Sequence, residues 1–485
     1  MAGDNSSTSR VERLVLSHFP HQPTESQLSA CHLLTQFLFD SDPLSAFLLR
    51  GYAGTGKTSL VSALIQSAPA LRIRTLLLAP TGRAAKVLST YSHHPAYTIH
   101  KKIYTTVTDT SGNMRIARAQ NKHSYTLFIV DEASMIGDTT QDGALFGHRS
   151  LLDDLLQYVA EGNHCRLLLL GDAAQLPPVG AVESPALLAD RLLSVLPLKL
   201  FECELTDVVR QQSGSGILQN ATGLRHQIAH YGLYGKVQLP LLRVEGFADV
   251  VRLPGEELEE TLFRAYEEVG EEGVAFVCRS NKRANLFNQA IRSRILFREG
   301  MLNAGDYLLV VKNNYFWADD DATMSFVANG DIVEVLSARH FEEMYGFHFA
   351  DVTARFVDYP DAPPLECKVL LETLHSESPS LTRVEQQQLF DAVMEDYADL
   401  PSKTARMQEL KKNPYYNALQ IKFAYALTCH KSQGGQWPIV FVDQGYMTDD
   451  MLDKDFLRWL YTAFTRATRT VYLLNFEERF FSKES

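Results

Sequence analysis

A chain of 485 residues is too long for one compact core and implies two to four domains. Its 45% hydrophobic and 21% charged residues are ordinary for a soluble globular protein, and no apolar run approaches the roughly 18 residues of a membrane span. The net charge of −12 argues against a surface that is basic throughout, yet a locally positive channel suffices for a nucleic-acid partner, so charge leaves that question open. The start, MAGDNSSTSRVERL, lacks the basic-then-apolar layout of a secretory leader. Cys31, Cys165, Cys203, Cys278, Cys367 and Cys429 are scattered without a CxxC pair, which argues against a zinc site or disulfide frame and for a reducing cytosol.

In chain order, the first elements read as an open α/β layer. Short apolar strands are expected at Ala46–Leu49, Thr75–Leu78, Leu127–Val130 and Leu167–Leu170, each leading into a turn and a helix. Within this layer, residues 103–119 give two β-prone runs around Ser111-Gly112-Asn113, the pattern of an inserted hairpin. A second α/β layer is expected from strands at Val274–Val277, Phe423–Thr428, Ile439–Val442 and Thr470–Leu474. Residues 331–373 alternate as short strands and suggest a small antiparallel barrel, followed by a polar helical stretch from about Thr382 to Lys412. The expected division is therefore a first unit at 1–200, a second at 201–330 and 417–485, and an inserted barrel at 331–416.

The chemistry begins at Gly51-Tyr52-Ala53-Gly54-Thr55-Gly56-Lys57-Thr58, which follows a strand and opens the helix Ser59–Gln66. This is the GxxxxGK[ST] phosphate loop in its required setting. Glycines let backbone N–H groups curl around phosphates, and the helix N-terminus adds its positive dipole. Lys57 is expected to neutralise the β- and γ-phosphates of ATP, and the Thr58 hydroxyl to hold Mg²⁺. After Leu127–Val130 come Asp131, expected to hold the magnesium through water, and Glu132, expected to orient and deprotonate the attacking water. Acidic pairs also cap strand ends. Beside a phosphate loop at this spacing, the catalytic reading is preferred. Arg279, Lys282, Arg283, Arg292 and Arg294 form a basic run at 279–294 that can equally be a solvated helix face.

Further motifs follow in a fixed order: Leu78–Lys86 (LAPTGRAAK), Thr98–Lys101 (TIHK), Gly171–Gly180 (GDAAQLPPVG), Leu205-Thr206 with Arg210-Gln211, Ala426–Gly434 (ALTCHKSQG) and Tyr461–Ala467 (YTAFTRA). In this order the set resembles superfamily 1 helicases of the RecD, Dda and Pif-type branch, over roughly residues 20–475. The resemblance implies two RecA-like parallel-sheet motor domains, with an inserted β-hairpin and an inserted SH3-like barrel. It implies that Gln27 reads adenine, that Gln175 senses the γ-phosphate and touches the attacking water, and that Gln433 faces the nucleotide and couples the two sites. Arg210 and Arg466 match arginines that reach into the cleft, with surface salt bridges as the alternative. Pro80, Thr81, Thr98, His100, Asn281, His430, Lys431 and Ser432 match positions that line single-stranded DNA, where hydroxyls, amides and N–H groups contact phosphates without reading sequence. His430 could instead be a core histidine.

The implied activity is ATP-dependent 5′→3′ DNA unwinding with Mg²⁺, by a monomer in the cytoplasm, nucleoid-associated in a prokaryote. Its substrates would be single strands, forks and tailed duplexes, and repair, recombination or replication proteins would be its partners. The hairpin would split the duplex, and the lack of a long N-terminal extension resembles the compact members of the branch. Two departures bear on fine coupling: Val182 stands where relatives often carry glycine, and they often carry an acid near Gln436. An RNA helicase of the Upf type, a non-motor ATPase and the helicase subunit of a nuclease are the alternatives; no clustered nuclease motif is evident.

Overall fold

The computed structural model describes residues 4–108, 114–138, 150–207, 214–231, 238–317, 327–359 and 362–481. The first sheet holds β1 (Ser45–Gly51), β2 (Arg74–Ala79), β3 (Ala96–Thr98), β6 (Thr126–Val130), β7 (Arg166–Gly171) and β8 (Lys199–Leu205), in the order β3-β2-β6-β7-β1-β8. Every pairing in it is parallel. A parallel sheet is covered on both faces, and successive side chains alternate between them. Phe47 and Leu49 accordingly join one buried cluster with Leu34, Phe37 and Leu64. Ala46 and Leu48 join the opposite one with Leu152 and Leu155.

All four expected strands of this layer are present, and two more flank them. β3 pairs only with Leu77–Ala79, too short a run to register as a period. β8 pairs with β1 along its whole length and exposes Lys199, Glu202 and Glu204, the polar side chains of a sheet edge. The first unit therefore runs through Leu205, and the expected boundary at residue 200 cuts through an edge strand. The hairpin of β4 (Tyr104–Thr108) and β5 (Met114–Arg118) is paired from Tyr104↔Arg118 to Thr108↔Met114. Its expected turn at Ser111-Gly112-Asn113 lies outside the described residues.

The second sheet is also parallel, in the order β16-β10-β17-β18-β9. Its members are β9 (Val250–Leu253), β10 (Val274–Cys278), β16 (Ala426–Thr428), β17 (Trp437–Asp443) and β18 (Ala467–Leu474). Between β10 and β16 the chain builds a closed barrel of β11 (Tyr307–Val310), β12 (Ile332–Met344), β13 (Phe347–Phe356), β14 (Leu365–Leu370) and β15 (Leu419–Phe423).

The barrel is wider in sequence than the expected 331–416, because β11 and β15 lie outside that range. β11 escaped the alternation test because both its faces are buried. Leu308 and Val310 join the cluster that fills the barrel, while Leu309 joins that of the second unit. The expected strand Phe423–Thr428 is two strands: Phe423 ends β15, and β16 starts at Ala426. The polar stretch after the barrel forms helices Arg383–Glu395 and Lys403–Lys412, the first opened by a Thr382/Glu385 capping box. Leu389, Val393 and Leu410 pack them against Phe349 of β13.

Candidate functional site

In the first sheet the phosphate loop, Asp131-Glu132 and the Gln175 loop follow the carboxyl ends of β1, β6 and β7, so parallel pairing collects them along one edge, whereas Arg466 of the second sheet stands just before the amino end of β18. The phosphate loop leaves β1 at Gly51 and enters the helix Lys57–Ser67 through Gly56. Gly56 has φ +80°, a left-handed geometry that a side chain would strain. Lys57 Nζ donates to the Gly51 carbonyl and, at 3.2 Å, to the Tyr52 carbonyl. Thr55 is fully buried and bonds the Tyr52 carbonyl at 2.8 Å. Gln27, also fully buried, braces this loop: its Nε2 donates to the Thr55 carbonyl at 3.0 Å. Its Oε1 accepts the Thr24 N–H at 3.0 Å, which completes the capping box of the helix Glu25–Leu38.

Asp131 and Glu132 end β6 beside the loop. Asp131 is held from two sides, Oδ2 by the Tyr91 hydroxyl at 2.6 Å and Oδ1 by the Glu132 N–H at 2.8 Å. Glu132 takes a positive φ of +52°, which turns its side chain out of the strand direction. Burial pushes its carboxyl above the usual range. Arg466 and Lys57 pull it down, while Asp131 and Asp172 push it up. Thr58 and Asp131 carry hard oxygens of the kind that magnesium takes alongside phosphate and water. Among the described residues no group of three or more His, Cys, Asp or Glu gathers to hold a metal by itself.

The second unit faces these groups through the helix Lys454–Phe464 and the turn after it. Arg466 is buried, its Nε donating to the Thr462 carbonyl at 3.0 Å and its Nη1 to the Gly435 carbonyl at 3.2 Å. The same Nη1 lies 4.0 Å from Glu132 Oε1. Gln175 is buried after β7, with its Oε1 unpartnered among the described residues. Gln433 Nε2 donates to the Leu176 carbonyl at 2.7 Å, and Thr462 Oγ1 accepts the Leu176 N–H at 3.0 Å. The loop after β7 is thus gripped by two second-unit residues. Arg210 lies outside the described residues.

On the surface expected to hold a strand, Thr81 and Thr98 both cap helices. Thr81 Oγ1 accepts the Ala84 N–H, and Thr98 Oγ1 accepts the Lys101 N–H. A capping hydroxyl uses an acceptor lone pair and keeps its O–H to donate. Pro80 and Asn281 are half-buried at the carboxyl ends of β2 and β10, and Lys431 follows β16. Burial lowers the Lys431 ammonium to about 8 and the His100 imidazole to about 4. His430 is exposed, so the core-histidine alternative does not hold. Ser432 departs from expectation: it is fully buried and its hydroxyl donates to the Cys429 carbonyl at 2.8 Å. A one-turn helix at Cys429–Ser432 rolls that side chain inward.

The two units meet on this surface as well. Gly434 has φ +74°, and a Cβ there would stand 2.7 Å from Ala84 Cβ and 3.3 Å from Thr81 Oγ1. Only glycine permits so close an approach. The hairpin base is braced by the helix Leu151–Glu161: Asp154 accepts from the Tyr104 hydroxyl at 2.8 Å and from Arg118 at 3.3 Å. Arg118 also bonds Gln157 and Glu161.

Comparison with known proteins matches residues 32–236 to the AAA domain family and residues 423–474 to the UvrD-like helicase C-terminal domain. The chain is 29% identical over 325 residues to the ATP-dependent RecD2 DNA helicase of Deinococcus radiodurans, an alignment covering 62% of this chain and 40% of that one. It is 24% identical over 334 residues to the ATP-dependent DNA helicase dda of Enterobacteria phage T4, covering 65% of this chain and 68% of the relative. A Bacteroides Pif1 helicase solved in complex with ADP-AlF3 and single-stranded DNA aligns with a TM-score of 0.48 at 14% identity, over 96% of this chain and 95% of that one. The chain thus spans only 40% of the RecD2 relative's length. No described helix is long and apolar enough to cross a membrane.

Proposed function

We propose that the chain is a superfamily 1 helicase of the RecD, Dda and Pif-type branch, which hydrolyses ATP to travel 5′→3′ along single-stranded DNA and separate duplex ahead of it. The observation that carries the reading is the approach of Arg466, on the second unit, to Glu132, on the first. A cation delivered across a cleft to the water-activating carboxylate makes turnover depend on how the units sit.

In this reading the loop N–H groups and Lys57 bind the phosphates, with Lys57 exchanging its loop carbonyls for phosphate oxygens. Thr58 and Asp131 hold Mg²⁺, which when bound neutralises charge developing on the phosphates. Glu132 takes the proton of the attacking water, and the unpartnered Gln175 Oε1 helps to orient that water. Arg466, with Arg210, stabilises charge on the transferring γ-phosphoryl group, an effect worth roughly 10³–10⁵ in rate for arginines so placed. Gln27 meets adenine through the one bond that each of its amide atoms retains, which its full burial allows only once nucleotide opens the loop.

Thr81, Thr98, Asn281, His430 and Lys431 contact the strand's phosphates, with Pro80 and His100 beside them. Loss of the γ-phosphate releases the arginine bridge, the units part, and one nucleotide passes per ATP. Opening a base-pair step costs on the order of 1.4 kcal/mol, within what one hydrolysis supplies. The proposal extends to action as a monomer in the cytoplasm, on forks and tailed duplexes, alongside repair, recombination or replication proteins.

The test is steady-state ATP hydrolysis without nucleic acid, with single-stranded DNA and with RNA of the same sequence. Strong stimulation by DNA that weakens as salt rises supports the reading. Stimulation by RNA alone would favour the Upf-type alternative, and indifference to both a non-motor ATPase.

A further inference from the structure

Two residues that the GxxxxGK[ST] pattern leaves free, Tyr52 and Ala53, are held by the opposite unit. Both pack against the buried cluster of the second unit. The Arg225 guanidinium, on the helix Gly216–Ala229, lies 4.5 Å from the Tyr52 ring centroid. The Ala53 N–H donates to the Tyr461 hydroxyl at 2.8 Å, and that hydroxyl donates to Asp172 Oδ2 at 2.6 Å. Tyr461 is 1% exposed, so its hydroxyl has no solvent to replace either partner, and an unmade bond there would be expensive. It stands on the helix whose next residue, Thr462, grips Leu176 and which leads into Arg466.

A phenolic hydroxyl has one proton to give. With that proton committed to Asp172, Tyr461 can only accept from Ala53. The loop N–H is therefore shared property: it can point to a second-unit oxygen, or turn toward the anion that such loops exist to cradle. Lys57 is in the same position, folded onto the loop carbonyls of Gly51 and Tyr52. Any nucleotide that reshapes the loop must alter the Ala53–Tyr461 bond, whereas Arg466 is placed to respond to groups near Glu132.

We propose that Tyr461 is a positioning residue that transmits the shape of the phosphate loop to the second unit, through a bond that nucleotide phosphates make and break, separately from Arg466. The inference rests on the motor reading above, since it supplies one of the links by which nucleotide state changes the grip on the strand.

The experiment compares the parent with Tyr461→Phe, which keeps the ring and removes only the hydroxyl. Single-stranded DNA affinity is measured by fluorescence anisotropy without nucleotide, with ADP and with a non-hydrolysable ATP analogue, with thermal melting as the folding control. In the parent, the affinity without nucleotide and with the analogue should differ by at least about fivefold, the lower end of ordinary site-to-site coupling. In a normally melting Tyr461→Phe protein that ratio should fall to within about twofold, while analogue affinity changes much less. A parent-like ratio would overturn the role of Tyr461, as would an equal loss of DNA affinity in every nucleotide state, which marks a merely structural contact. A parent whose DNA affinity ignores nucleotide would overturn the motor reading itself, and the inference with it.

Discussion

Arg466 Nη1 stands 4.0 Å from Glu132 Oε1, a second-unit cation facing the first unit's carboxylate. Burial raises the Glu132 carboxyl, and Arg466 is the largest influence drawing it back down. A raised carboxyl stays protonated to higher pH, and only its ionised form can accept a proton from water. Turnover should therefore fall on acidification from a pH above the ordinary carboxylate range. Arg466→Ala should move that acid limb to still higher pH. It should also cut the maximal rate far more than ATP affinity, which stays within about tenfold because the arginine acts mainly in the transition state. A pH–rate profile of both proteins checks this; a large loss of affinity at unchanged maximal rate would contradict it.

Lys57→Ala and Glu132→Gln should both abolish turnover, for different reasons. The first removes the charge that neutralises phosphate and weakens ATP binding. The second leaves the loop, Lys57 and Asp131 in place, so it should bind ATP like the parent and fail only to activate water. Equilibrium binding of a fluorescent nucleotide, paired with phosphate release, separates the two outcomes. Near-normal hydrolysis by Glu132→Gln would remove the site assignment.

Shortening the hairpin to a tight glycine turn should preserve DNA-stimulated hydrolysis while unwinding collapses. An isolated two-stranded hairpin is marginal, and this one is anchored through Tyr104 and Arg118 to Asp154. The same anchor predicts that Asp154→Ala impairs strand separation with less effect on hydrolysis. A shortened protein that separates duplex as fast as the parent would show that the hairpin is not the splitting element.

Much of this architecture is legible in the chain itself. The strands that carry the phosphate loop and Asp131-Glu132 are continuous apolar runs, and parallel pairing leaves no choice about which edge their loops share. Edge strands and doubly buried strands hide: β8 alternates charge with apolar residues, and β11 does not alternate because two clusters claim it. The motif residues give types and not directions. Ser432 matches a strand-binding position, yet its one-turn helix points it inward. Tyr461 sits in a motif read for its arginine, and its bond to Ala53 spans 408 positions of sequence, a distance that no local pattern encodes.

Asp331, just before β12, sits close to Gly82 of the first unit and should tune stability with pH. It is buried, its Oδ1 unpartnered among the described residues and its Oδ2 accepting the Ala328 N–H at 2.7 Å. Burial pushes its carboxyl to about 7; the Ala328 bond and Lys101 oppose this, and Asp358 adds to it. The acid is thus favoured in the folded state. Its stabilising contribution is complete below the unfolded value of about 3.9 and is lost as pH rises through about 7. The swing is on the order of a few kcal/mol. Asp331→Asn, which keeps the shape without the charge, should flatten melting temperature against pH in that window. An unchanged slope would locate the dependence elsewhere.

An ATP-driven motor moving 5′→3′ on DNA is distinguished by strand displacement from three duplexes of one sequence, bearing a 5′ single-stranded tail, a 3′ tail or blunt ends. ATP-dependent separation of the 5′-tailed duplex is expected, with little from the other two and none by Glu132→Gln. Separation that prefers the 3′ tail would contradict the direction, and no separation of any substrate by a protein that hydrolyses ATP on DNA would contradict the unwinding.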